Sequence, residues 1–190
     1  HTGATLDALG NAKPRDTWRG GEPSAVKTAL SAAFPVDEVF GPAAVIATCR
    51  DVLPMDSIAT VDSGAHRILL SQMWDCEQPH SLLQSSGLCT MGCAVPLAIG
   101  AKIADPTRTV ISFSGDAGFL MVAGELSTAA AQGHNTIFVV FVDRSLALIE
   151  LKQRQRKMEN NGVDFVSHDY AAIARGFGGY GETVDSRDSL

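Results

Sequence analysis

At 190 residues, 45% hydrophobic and 19% charged, the chain has the size and composition of one α/β domain with a buried sheet, which excludes a disordered polypeptide. A formal net charge of −6 argues against nucleic acid as a partner. The longest apolar runs are broken by Gly, Ser or Asp before membrane-spanning length, and no signal peptide is visible.

Residues 1–38 carry Gly, Pro, Asp and Arg without a clear period. NAKPRDTWRGGEP reads as a linker or exposed loop, and one short helix is expected over 24–33. The domain proper is expected over 39–190 and is expected to be cut short at its end. A start at His1 rather than Met is what a piece of a longer protein would show.

Within that domain the first helix is predicted over 42–53, with Pro42 near its first position. A strand follows over 57–61, ended by Asp62-Ser63-Gly64, then a helix over 68–76 and a loop at Gln78-Pro79-His80. Residues 82–85 read as a short strand feeding the turn SSGLCTMG, whose small residues let backbone approach a ligand closely. A helix over 93–104 is ended by Asp105-Pro106.

The β-branched and aromatic run TVISFS at 109–114 reads as a buried strand, followed at once by the turn Gly115-Asp116-Ala117-Gly118. Apolar residues at 119, 122, 123, 126, 129 and 130 trace one face of a helix over 119–132, stopped by Gly133. Residues 136–142 form a second, almost wholly apolar strand with Asp143 just past its end. Strand, helix, strand at this length is a βαβ unit with parallel strands and a right-handed crossover. A further helix after Leu148 and Ile149 carries the basic run QRQRK at 153–157, a feature shared by anion sites and, more often, by solvated faces. Another helix is expected over 170–177 and a strand beginning at 182–184.

In open parallel sheets the ligand crevice lies beyond the carboxyl ends of the strands. Asp116 and Asp143 both follow such ends, so both can face one crevice beside the start of a helix whose free N–H groups suit an anion. Two hard oxygen donors beside a phosphate-binding helix end suit a Mg²⁺-diphosphate complex. An equally open reading makes Asp116 a helix cap and Asp143 a solvated loop residue.

GDAGF with Glu125-Leu126-Ser127-Thr128, an apolar strand and then Asp143 resembles the GDG…N motif of thiamine diphosphate (ThDP) enzymes. Two further blocks agree. Ser86-Gly87-Leu88-Cys89-Thr90-Met91-Gly92 with Pro96-Leu97-Ala98-Ile99-Gly100-Ala101-Lys102 resembles GGLGTMG…PAAIGAK, and Asp62-Ser63-Gly64-Ala65-His66 resembles the VGQH segment. Asp164-Phe165 with the helix from Tyr170 is similar to DFVKLAEAFG. The nearest likeness is to the acetolactate synthase group, over roughly residues 40–185.

The resemblance implies a three-layer αβα fold with a mostly parallel, doubly wound sheet, the ThDP-binding fold. It places Ser63, Gly64, Ala65 and His66 around the diphosphate, with Gly115, Asp116, Ala117 and Gly118. It makes Met91 the apolar wedge that keeps the cofactor bent, and the carbonyl of Cys89, beside Gly87 and Leu88, the acceptor for the 4′-amino group. Mg²⁺ would be held by Asp116, Asp143 and the carbonyl of Ser145, with Leu146, Ala147 and Leu148 completing the cofactor pocket. Leu148 and Ile149 match substrate-pocket positions. The chain departs from the family in Ala65 for Gln, in Val142-Asp143 for a pair of asparagines and in Ala147 for Gly. Alanine takes positive φ less readily than glycine, so the loop at Ala147 is expected to leave the family path.

The same resemblance implies that ThDP and Mg²⁺ are the cofactors and that no catalytic side chain lies in this chain, because the activating glutamate comes from a pyrimidine-binding domain, usually of the neighbouring subunit. FAD in the parent protein is left open and nothing here indicates it. The implied function is the cofactor-binding part of an acetolactate synthase-like decarboxylase and carboligase (lyase or transferase) acting on a small 2-oxo acid, in a homodimer or homotetramer. Benzoylformate-, oxalyl-CoA- and sulfoacetaldehyde-type ThDP enzymes are the alternatives within the family. A non-catalytic nucleotide- or diphosphate-binding module is the alternative outside it, although no GxGxxG follows a strand and no GxxxxGK[ST] is present. GxSxG and HExxH are also missing. Cys49, Cys76, Cys89 and Cys93 form no CxxC pair and read as reduced thiols of a cytoplasmic protein.

Overall fold

The computed structural model describes residues 2–13, 17–36, 39–133 and 135–190. Two compact units are present, residues 1–34 and Pro35–Leu190. The expected boundary between 38 and 39, and part of the loop expected over 11–23, lie outside the described residues. The first unit holds α1 (Thr2–Gly10) and α2 (Glu22–Ala33), neither of which buries a residue. α1 was not expected, because its sequence has no apolar period to announce it.

The second unit is built on four parallel strands, β1 (Ile58–Val61), β2 (Leu82–Gln84), β3 (Val110–Gly115) and β4 (Ile137–Phe141), in the order β2-β1-β3-β4. The register pairs Val61 with Phe113 and Phe113 with Val139. Strand side chains alternate between two faces. Ala59, Val61, Ile111 and Phe113 meet Ile46 and Cys49 of α3 (Pro42–Val52), Leu70 of α4 (Ala65–Met73) and Trp74. Ile58 and Val110 meet Ala98 of α5 (Ala94–Ala104), and Phe138 and Val140 pack on Val95, Ile99, Phe119 and Leu126 of the same opposite layer. The central strands β1 and β3 are buried on both faces, whereas β2 and β4 are largely half-buried. The result is a three-layer α/β sandwich.

Two buried cations tie the layers down. Arg50 stacks its guanidinium 4.7 Å from the Trp74 ring centroid and donates to the carbonyls of Leu53 and Pro54. Lys102 donates to the carbonyls of Pro106 and Arg108, closing the turn between α5 and β3.

The expected helix over 119–132 is two helices. α6 (Asp116–Val122) starts three residues early, a 3₁₀ turn occupies Ala123–Glu125, and α7 (Leu126–Gln132) ends on left-handed Gly133. The break falls around Gly124, a poor helix former, while Phe119 and Leu126 still share one core face. The helix expected over 68–76 also starts three residues early, at Ala65, because the chain turns sharply at Gly64. α8 (Ala147–Gln155) and α9 (Tyr170–Gly176) follow as expected, but 182–184 forms no strand because it pairs with no neighbour. Among the described residues, no helix is long and apolar enough to cross a membrane.

Candidate functional site

β2 and β3 lie on opposite sides of β1, so the direction of winding reverses between β1 and β3. Beyond the carboxyl ends of such strands a crevice opens without being closed over by a crossover connection. Here it is a cleft of about 280 Å³.

The end of β1 supplies one wall. Ser63, Gly64, Ala65 and His66 all line the cleft. Gly64 has φ 157° and ψ −175°, a region open to glycine, and a Cβ there would lie 2.6 Å from the His66 ring. His66 packs 5.7 Å from the Phe141 ring, and its Nε2 is buried without a hydrogen-bond partner among the described residues. Burial pushes the imidazole pKa below 6.5, against the charge and backbone carbonyl of Asp62 and the charge of Asp116. Burial thus disfavours the charged imidazole in the cofactor-free cleft.

The expected turn at 115–118 is a direct strand-to-helix junction: Gly115 ends β3, and Asp116, Ala117 and Gly118 form the first turn of α6, all four lining the cleft. Asp116 is 1% exposed. Its Oδ1 accepts from the backbone N–H of Ala117 at 2.9 Å, and Oδ2 accepts from that of Arg144 at 2.8 Å. β4 is hydrogen-bonded to β3, so the loop that follows β4 meets the same cleft. From that loop come Asp143, Ser145 and Leu146, and from the start of α8 Ala147 and Leu148. The N–H of Ser145 donates to Asp143 Oδ1 at 3.1 Å, and its hydroxyl donates to Glu150. Asp143 is more exposed than Asp116, yet partial burial at the cleft wall, and then the charge of Asp116, push its carboxyl above the usual range.

The loop is locked from outside. Leu146 donates to the carbonyl of Val163, Phe165 donates to that of Arg144, and Ser145 bridges to Asp164. The residue at positive φ is Arg144, at 61°, and Ala147 is simply the first residue of α8. Ala147 therefore has helical backbone and needs no positive φ.

Met91 is half-buried and lines the cleft. Gly87, Leu88 and Cys89 do not. They sit on an exposed loop where Leu88 is 91% exposed and Cys89 holds φ 50°. Ile149 lines the cleft, as do Pro42, Leu69 and Phe141, which sequence reasoning did not single out. Leu69 lies one helical turn after His66 and Phe141 ends β4, so the signal for both was their spacing from residues already in view. Tyr170 was also missed as a neighbour of the site. Its ring meets Phe119 edge-on at 5.8 Å and its hydroxyl is buried without a partner. Burial and then the charges of Asp116 and Asp143 push its pKa up.

Chemically, the cleft offers two carboxylates past adjacent strand ends, an imidazole, glycine-lined backbone and the apolar side chains of Met91, Leu148 and Ile149. That set suits a metal-bound anion attached to an apolar or aromatic group. Among the described residues, no group of three or more His, Cys, Asp or Glu side chains could hold a metal unaided. A cation here would share its ligands with the anion and the backbone.

Residues 62–190 match the family model described as thiamine pyrophosphate enzyme, C-terminal TPP binding domain. The chain is 32% identical over 149 residues to the catabolic acetolactate synthase of Raoultella terrigena, covering 78% of this chain and 27% of that protein. It is 33% identical over 149 residues to an acetolactate synthase of Bacillus subtilis (strain 168), covering 78% and 26%. To the acetolactate synthase large subunit of Parasynechococcus marenigrum it is 31% identical over 182 residues, covering 92% and 27%. The chain thus spans about a quarter of the length of these relatives.

Proposed function

Because the chain belongs to the thiamine pyrophosphate enzymes and carries their C-terminal cofactor-binding domain, we propose that it forms the diphosphate- and Mg²⁺-binding half of an acetolactate synthase-like active site. The observation that carries this reading is the placement of Asp116 and Asp143 past the ends of adjacent parallel strands, on one cleft with His66 and Met91.

The residues present fit the cofactor. Asp116 and Asp143 are hard oxygen donors suited to Mg²⁺, to be joined by the carbonyl of Ser145. The unpartnered Nε2 of His66 is available to the diphosphate, and a Cβ at Gly115 would crowd the imidazole at 3.3 Å. Backbone at 64–66 and 117–118 would face the phosphate groups, and Met91 would support the cofactor's rings.

When bound, thiamine diphosphate supplies the electron sink that lets a 2-oxo acid lose CO₂. The chain's own contribution is to bind, orient and exclude water. Asp116 and Asp143 would hold the Mg²⁺ whose positive charge offsets that of the diphosphate. Met91 fixes the ring orientation, while Leu148 and Ile149 present an apolar wall to the substrate. The activating glutamate belongs to a pyrimidine-binding domain, so catalysis requires that domain from the same or a neighbouring subunit of a cytoplasmic homo-oligomer.

The test uses the full-length protein with ThDP and Mg²⁺, following CO₂ release from 2-oxo acids led by pyruvate and identifying the product by mass. Acetolactate from pyruvate, dependent on both cofactors, is the expected result. Failure to release CO₂ from any 2-oxo acid, or release that is indifferent to ThDP, would overturn the reading.

A further inference from the structure

Asp62 has no role in the site as described so far, yet it is wholly buried at the point where the sheet reverses its winding. Its backbone N–H donates to the carbonyl of Phe113 at 2.9 Å, which fixes it to the end of β3. Its carboxylate turns towards the Met91 block. Oδ2 accepts from the N–H of Gly92 at 2.8 Å, Oδ1 from the N–H of Cys93 at 3.1 Å, and the Cys93 thiol lies 3.5 Å from Oδ1. The neighbouring Thr60 hydroxyl adds a buried bond to the carbonyl of Ala94 at 2.8 Å.

On its other side the carboxylate presses against α6. A Cβ built on Gly118 would come within 2.0 Å of Asp62 Oδ2, an impossible approach. The last glycine of the GDAG turn is thus required by Asp62. The Met91 turn is equally constrained, since Gly92 has φ 79° and a Cβ there would lie 3.0 Å from Val122 of α6. A buried carboxylate is costly unless its oxygens are hydrogen-bonded, and bonds from N–H to a charged acceptor are among the stronger ones. One side chain therefore joins three blocks that are far apart in sequence, at 62, 92–93 and 118.

We infer that Asp62 is a positioning residue that sets Met91 in the cleft and holds the Met91 turn at a fixed distance from the Asp116 turn. The consequence for cofactor binding rests on the ThDP reading. The geometry itself does not. A ligand gripped at one end by the Asp116 turn and supported in the middle by Met91 needs that distance to be constant.

Asp62→Asn is nearly isosteric, but its amide must turn an NH₂ towards one of the two N–H donors, so one bond is lost. The measurement combines ThDP affinity in saturating Mg²⁺ by calorimetry with the ¹³C-methyl resonance of Met91, on full-length protein with and without cofactor. The expected result is a ThDP Kd raised by about tenfold or more, together with a displaced or broadened Met91 signal before cofactor is added. Ile111→Val, a core change away from this turn, is expected to leave both unchanged. Gly118→Ala is the second variant, should Asp62→Asn fold poorly. It keeps Asp62 but pushes its carboxylate away, and it should move the Met91 signal in the same way.

A Met91 signal and a Kd within about twofold of the parent in either folded variant would overturn the inference, as would equal effects from Ile111→Val. If the parent protein itself fails to bind ThDP, the cofactor reading fails, whereas the cofactor-free Met91 signal still decides the role of Asp62.

Discussion

The backbone N–H of Arg144 donates to Asp116 Oδ2 at 2.8 Å, fastening the loop after β4 to the turn after β3. Arg144 can do so because its φ of 61° swings the N–H inward, a conformation that costs a non-glycine residue about 1 kcal/mol or more. Asp116 therefore shapes the loop that carries Asp143, besides its proposed role as a metal ligand. Asp116→Ala should leave the Arg144 N–H without its acceptor and lower cofactor-free stability by about 1–3 kcal/mol. Asp116→Asn keeps an acceptor oxygen and should cost less, while both variants lose Mg²⁺-dependent ThDP binding. Urea denaturation without cofactor and calorimetry with it separate the two roles. Parent-like stability in Asp116→Ala would show that the bond does not hold the loop.

At the neighbouring position the charge is in excess. Partial burial, followed by the negative field of Asp116, pushes the Asp143 carboxyl up, so ionised Asp143 sits uneasily in the cofactor-free cleft. In the proposed site, two carboxylates and a diphosphate would place more negative charge around one Mg²⁺ than a carboxylate and an amide would. Asp143→Asn should retain or improve ThDP affinity, whereas Asp143→Ala, which removes the ligand oxygen, should weaken it by about tenfold or more. A large loss in Asp143→Asn, read by calorimetry, would sink the assignment of Asp143 as a metal ligand.

The parts of this architecture that are local were visible in the chain itself. TVISFS, GDAG and the apolar run before Asp143 are each a strand, a strand-to-helix junction or a strand end within a few residues, and their order dictates a crevice at the strand ends. What could not be read depends on contacts between distant segments. Asp62 looks like a loop residue until Gly92, Cys93 and Gly118 are folded around it. Tyr170 reads as the opening of an amphipathic helix, and only packing on Phe119 brings it under the influence of Asp116 and Asp143. The break at Ala123–Glu125 escaped the periodicity because a single 3₁₀ turn leaves Phe119 and Leu126 on one face. The strand expected at 182–184 had the right residue types, but strand pairing needs a neighbour that local sequence cannot supply.

His66 offers a readout of the diphosphate site that does not depend on turnover. Burial holds its pKa below 6.5, so the folded cofactor-free protein disfavours the imidazolium. The sign follows directly. The unfolded chain takes up the proton first as pH falls below 6.5, so His66 withdraws stability on the acid side and none above it. A diphosphate beside Nε2 reverses the preference by favouring the charged ring. ThDP binding near pH 6.5 should therefore take up more protons in the parent than in His66→Gln, as measured by calorimetry in buffers of different ionisation enthalpy. Identical proton uptake in the two proteins would remove His66 from the diphosphate contacts.

Cys49 tests the core beneath the site. It is buried in the cluster with Ile46, Leu70, Trp74 and Phe113, and burial pushes its thiol from 9.0 up to about 11. The thiolate is the reactive form, so at pH 8 a thiol reagent should modify exposed Cys76 and Cys89 quickly and Cys49 only when the domain unfolds. The pH dependence has a definite direction. Between 9.0 and about 11 the unfolded chain ionises while the folded chain stays protonated, so stability falls as pH rises through that window. The loss attributable to Cys49 is roughly 2–3 kcal/mol across the window. Other groups titrate there as well, so the quantity to measure is the difference in urea-denaturation stability between the parent and Cys49→Ala from pH 8 to 11. A difference that stays constant over that range, or rapid labelling of Cys49 at pH 8, would show that the α3–sheet interface admits water and that the wall behind His66 is looser than its packing indicates.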